Sequence, residues 1–154
     1  MRCLLVLPLM LAGCPDTLSQ FEMPTLRDIR GTSVSDAEYI AAVLAEVQNG
    51  IETKRVYRVL AHVSRSYNDQ EGRDYDALQE YLARLFRDYR DIRITRTRPR
   101  VAVSGNTAIA QEAFGTQARP VNPGGRPINI QGQMTVRLVK ENNTWRILEW
   151  GPLQ

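Results

Sequence analysis

Acid–base chemistry on a small molecule needs a carboxylate or an imidazole in an apolar recess, where burial moves its pKa toward working pH. Past Asp91 the chain offers only Glu112, Glu141 and Glu149 as acids, and Glu141 falls in a turn. Glu112 shares strand parity with Ala108, Ala110 and Phe114. Small alanines beside Phe114 would leave room for a ligand against helix residues such as Tyr57, with Met134 on the following strand. An inward Glu112 would need an arginine, His62 or a tyrosine hydroxyl as partner, because an isolated buried carboxylate takes up a proton. The simpler reading, a solvated strand residue, is the one expected. His62, the single histidine, sits at the edge of an apolar helix stripe, where a hydrogen-bonded boundary residue is commoner than a base. Glu112 and His62 are therefore weak catalytic candidates.

Other chemistries find less support. No Ser/His/Asp order with motif context occurs, and Gly124-Gly125 lacks the strand-loop-helix setting of a phosphate loop. Asn68, Asp69, Glu71, Asp74 and Asp76 form an acidic loop, but their spacing departs from the alternate oxygen ligands of an EF-hand. A turn at Gly72 and an N-cap at Asp74 are expected there instead. With one histidine and cysteines only at Cys3 and Cys14, no metal site and no cofactor are expected. Arg84, Arg87, Arg90, Arg93, Arg96, Arg98 and Arg100 make a basic run, read as a solvated face partly paired with Asp88 and Asp91. Nucleic acid is disfavoured, since no aromatic stacking array accompanies these arginines. Anionic headgroups or an acidic protein partner would suit the charge.

These side chains need a frame to hold them. Ser35-Asp36-Ala37-Glu38 is a capping box opening a helix with Ile40, Val43, Leu44, Val47 and Ile51 in one stripe. A second helix is predicted from Thr53 to Val63, with Val56, Tyr57, Leu60 and Val63 inward. A third begins near Asp74 and buries Leu78, Tyr81, Leu82, Leu85 and Phe86. After Asp91 the apolar period shortens to that of a strand. The predicted strands are Ile92–Val103, Thr107–Ala118, Ile128–Lys140 and Thr144–Trp150, with Arg119 to Pro127 as a loop. Gly105 marks a tight hairpin. Ile92 and Ile94 have even parity and Val101 and Val103 odd, so a bulge or bend is expected between Arg96 and Arg100, around Pro99. The fold class is α+β: three N-terminal helices packed on a four-stranded antiparallel sheet.

This order of elements resembles the nuclear transport factor 2-like superfamily with its SnoaL-like members. Ser64-Arg65-Ser66-Tyr67-Asn68-Asp69 is similar to the family's helix-two exit. Gly105-Asn106-Thr107-Ala108-Ile109-Ala110 is similar to its central hairpin, and Thr144-Trp145-Arg146-Ile147 to its last strand. The resemblance covers about Asp36 to Trp150 and implies a cone, a strongly curved sheet wrapped over helices with a pocket at its open end. Its members include isomerases, cyclases, dehydratases, epoxide hydrolases and binding modules, so the fold leaves activity open.

The N-terminus bears on location. A positive end at Arg2, an apolar stretch and Leu11-Ala12-Gly13-Cys14 have the layout of a secretion signal closed by a sequence that resembles the bacterial lipobox. That resemblance implies diacylglyceryl transfer to Cys14, cleavage after Gly13 and acylation of the new amino terminus. Residues 1–13 then form a lipoprotein signal peptide, 14–35 a lipidated tether and 36–154 the domain. The stretch Leu18–Ile29 has some helical character. At 154 residues, 43% hydrophobic and 24% charged, the chain has the composition of a globular domain of ordinary size. No apolar run reaches the roughly 18–20 residues of a membrane span.

The sequence thus leads to a bacterial cell-envelope lipoprotein anchored in the membrane through Cys14. Its cone is expected to bind a small apolar ligand or an envelope protein, with a homodimer through the sheet as a further partner. The alternative is an isomerase, cyclase or dehydratase using a pocket carboxylate.

Overall fold

Ser35 caps the first helix in the way its spacing predicts. Its Oγ accepts from the Glu38 amide at 3.2 Å, and the Glu38 carboxylate accepts from the Ser35 amide at 3.0 Å. Helix α1 (Asp36–Glu52) follows, with Ile40, Val43, Leu44, Val47 and Ile51 buried along one stripe. The computed structural model describes residues 35–152; the expected signal sequence, Cys14, the tether and its helical stretch lie outside them.

Helix α2 (Val56–Leu60) is a turn and a half, much shorter than the predicted Thr53–Val63. It is seated by Gly50, where a Cβ would stand 2.8 Å from Val59 Cγ2. With Val59 fixed against α1, Tyr57 lies two residues, about 200°, around the helix. Tyr57 is accordingly 79% exposed, and the expectation that it points inward is wrong. The chain then runs beside the last strand: Ser64 N donates to Ile147 O at 2.8 Å, Ile147 N to His62 O at 2.8 Å and Asn68 N to Leu148 O at 3.1 Å.

Gly72, with φ +76°, makes the turn before helix α3 (Tyr75–Asp88), whose N-cap Asp74 accepts from the Ala77 amide at 2.9 Å. Leu78, Leu82 and Phe86 form its buried line. Leu85 is half-buried beside them, and Tyr81 is more exposed than expected because it flanks that line rather than belonging to it.

The sheet has five antiparallel strands, β1 (Tyr89–Arg96), β2 (Arg100–Ser104), β3 (Thr107–Pro120), β4 (Ile128–Glu141) and β5 (Thr144–Pro152). Their order is β1-β3-β4-β5, with β2 also pairing β3. The predicted four-stranded sheet is corrected at Pro99, where the expected bend divides one predicted strand into two. Arg96 pairs with Phe114 and Arg100 with Gln111, so three residues on one side oppose two on the other. Thr97 compensates for the interruption: its amide donates to Ala113 O and its Oγ1 accepts from Ala113 N, both at 3.0 Å. The extra residue flips the parity, so Ile92 and Ile94 before it and Val101 after it all turn toward the core. A second irregularity lies between Arg90 and Arg93, and a third opposite Arg137 and Leu138 in β5.

Helix α1 is tied to both ends of the sheet. The Asp36 carboxylate accepts from Lys140 Nζ at 2.8 Å and Trp145 Nε1 at 2.7 Å. In its last turn, Gln48 Nε2 donates to Ile94 O at 2.8 Å, and at its last residue Glu52 Oε1 accepts from Ile94 N at 2.7 Å. These two side chains, four residues apart, thus occupy both backbone groups of Ile94 on β1.

Candidate functional site

Between α1, α3 and the inner sheet face lies a cavity of about 390 Å³, within the usual size of small-molecule sites. Leu44, Val47 and Ile51 from α1 and Leu78, Leu82 and Leu85 from α3 form one wall. Ile92 and Ile94 of β1, Phe114 and Ala118 of β3, Ile128, Ile130 and Met134 of β4 and Trp150 of β5 form the other. Each strand contributes its inward parity, which is why an alternating sequence lines a continuous apolar surface. The Trp150 indole N–H donates to the Met134 sulfur, so two of these lining side chains are held together.

Glu112 also lines this cavity, and it is 3% exposed. The expected solvated position is wrong: even parity on β3 places it with Ala108, Ala110 and Phe114 on the covered face. Its partner is an arginine. Arg96 Nε and Nη2 both donate to Glu112 Oε2, at 3.0 and 2.8 Å, and Arg96 Nη1 donates to Leu44 O at 2.5 Å. Arg96 therefore leaves the solvated face proposed for the basic run. Arg84, Arg87, Arg90, Arg93, Arg98 and Arg100 remain exposed. Glu112 Oε1 is buried and has no hydrogen-bond partner among the described residues.

A second polar group borders the cavity, and sequence reasoning assigned it no such place. Tyr67 and Arg73 line the wall, joined through buried Asp69. Tyr67 O–H donates to Asp69 Oδ2 at 3.1 Å, and Arg73 Nε donates to the same oxygen at 2.7 Å. Asp69 Oδ1 accepts from the amides of Glu71 and Arg73 at 3.0 and 2.9 Å. Burial pushes the Tyr67 hydroxyl well above the ordinary tyrosine range, and the Asp69 charge adds to this. Burial alone would raise Asp69 too, but the bonds from Arg73 and Tyr67 outweigh it and leave the carboxyl below its ordinary value. Arg73 also lies over the Tyr81 ring, 4.7 Å from its centre. The acidic residues of this loop are thus committed to the turn and the helix cap, with Asp69 serving its own neighbours.

The remaining candidates are dispersed. Phe114 and Met134 line the cavity; Ala110 is fully buried but packs in the core without reaching the cavity wall. Tyr57 borders a separate shallow depression beside α2. His62 is half-buried and outside the cavity lining, and burial lowers its pKa. Glu112 and His62 therefore do not form an acid–base pair. Among the described residues no cluster of three or more histidine, cysteine or acidic side chains could hold a metal ion.

No family model and no curated protein matches this sequence. Solved structures do. A nuclear transport factor 2-like superfamily protein from Salmonella enterica serovar Typhimurium is 17% identical, with a TM-score of 0.64 covering 77% of this chain and 92% of its own. A candidate scytalone dehydratase from Novosphingobium aromaticivorans is 14% identical, with a TM-score of 0.66 covering 75% of this chain and 83% of its own. A Bdellovibrio bacteriovorus protein is 11% identical at a TM-score of 0.63 over 74% of this chain, which spans 40% of that longer protein. At these identities the likeness establishes the fold, which is nuclear transport factor 2-like, and leaves activity to the site.

Proposed function

We propose that the chain is a lipid-anchored cell-envelope protein whose domain binds a small, largely apolar ligand without transforming it. The observation that carries this reading is the composition of the cavity: an extended apolar wall interrupted by the Arg96–Glu112 ion pair and by the polar group at Tyr67 and Arg73. Orientation by a few polar groups in an apolar recess is the usual design of a binding site. General acid–base catalysis asks for more, a group free to give or take a proton. Here Tyr67 is engaged by Asp69, Asp69 by Arg73, and one oxygen of Glu112 by Arg96. Anchoring rests on Leu11-Ala12-Gly13-Cys14; among the described residues no helix is long and apolar enough to cross a membrane.

The alternative, an isomerase, cyclase or dehydratase, is favoured by one observation: Glu112, a residue of the cavity lining, keeps one carboxylate oxygen without a hydrogen-bond partner among the described residues. Mass spectrometry of the native purified protein separates the two. A co-purifying compound of unchanged mass on prolonged incubation supports binding, and its conversion supports the enzyme. The same spectra report acylation at Cys14.

A further inference from the structure

We infer that the cavity selects an uncharged, mostly apolar ligand carrying one hydroxyl or N–H, which donates to Glu112 Oε1. The inference rests on reading the cavity as a ligand site and adds the chemistry of the ligand's polar end. Glu112 offers its two carboxylate oxygens to unequal surroundings. Oε2 takes both arginine bonds, whereas Oε1 is buried with none. A buried acceptor left without a donor is costly, and the described residues supply no further donor to it. Glu112 belongs to the cavity lining, so a donor that enters there and parts the atoms packed over Oε1 is what can satisfy it.

The charge of the ligand follows from Arg96. Its guanidinium is committed to Glu112 and to the carbonyl of Leu44, so the pair is electrically balanced before any ligand arrives. A ligand carboxylate would meet the Glu112 carboxylate in an apolar enclosure, and a ligand cation would bring a charge with no counter-ion. A neutral donor meets neither penalty.

Three probes of one shape test the inference: a naphthol, its methyl ether and the corresponding naphthoate, titrated by calorimetry into the purified full chain. The naphthol is expected to bind about tenfold more tightly than the ether, as a hydrogen bond to a charged acceptor implies, with the naphthoate weakest. The double variant Glu112→Leu with Arg96→Met replaces the pair by apolar groups of similar size, and it should bind naphthol and ether equally. Equal affinities of naphthol and ether in the native protein would overturn the inference and leave the ligand-site reading intact. A naphthol preference that survives in a folded double variant overturns it as well. Should none of the three bind, the ligand-site reading falls and the inference with it. If the double variant does not fold, the comparison in the native protein decides alone.

Discussion

Arg96 stands opposite Phe114 in the strand register, yet its guanidinium reaches along β3 to Glu112 and closes on a single carboxylate oxygen. Both side chains are nearly inaccessible, at 11% and 1%. Such a pair adds little net stability over apolar residues, but removing one member strands the other charge. Arg96→Met should therefore cost roughly 3–5 kcal/mol, whereas the double change Arg96→Met with Glu112→Leu should lie near the native value. Urea unfolding of the single and double variants checks the order. Similar losses in both would show that the pair does not act as a unit.

Gly50 predicts a steric effect. An added Cβ would meet Val59 Cγ2 at 2.8 Å and the Val59 amide nitrogen at 3.2 Å, and the second is backbone that cannot swing aside. Gly50→Ala should destabilise by about 1–3 kcal/mol despite alanine's better helix propensity. Stabilisation in a thermal melt would contradict the seating of α2 on α1.

The pH dependence has a definite sign. Burial lowers His62 below its ordinary 6.5, so the unfolded chain takes up a proton first and stability declines as pH falls from 6.5 toward the folded value. Asp69 is lowered from 3.8, so its contribution is present above 3.8 and is lost as pH falls through the lower folded value. With one histidine in the sequence, its imidazole resonance can be followed without assignment. A midpoint above 6.5 would disprove the expected direction.

Anchoring is tested at Cys14. Cys14→Ser should release the protein from the membrane fraction or leave the signal sequence uncut. Unchanged membrane partition together with an unchanged N-terminal mass would rule the anchor out.

Local signals were the legible part of this fold. Ser35 with Glu38, and Gly72 with Asp74, mark helix starts through bonds made within a few residues. The clash of parity around Pro99 exposed the bend because a strand cannot bury both faces by chance. The inward turn of Arg96 was also legible, since it shares parity with Ile92 and Ile94, but the surrounding exposed arginines masked it. The Tyr67–Asp69–Arg73 group had no such signal. Asp69 closes a turn whose place beside the cavity depends on β5, far away in the chain. Tyr57 misled for a similar reason, because the rotation of a five-residue helix is set by its contact with Gly50 and not by its own periodicity.

The hold of Gln48 and Glu52 on Ile94 also bears on how these molecules meet one another. An open sheet margin is a template for another chain's backbone and an aggregation hazard. Here the β1 margin is answered at Ile94 by helix side chains, and the β5 margin by the stretch from His62 to Asn68. At both places the protein acts as its own neighbour. Pairing of a second copy's backbone at Ile94 or at Ile147 and Leu148 would first require these contacts to let go.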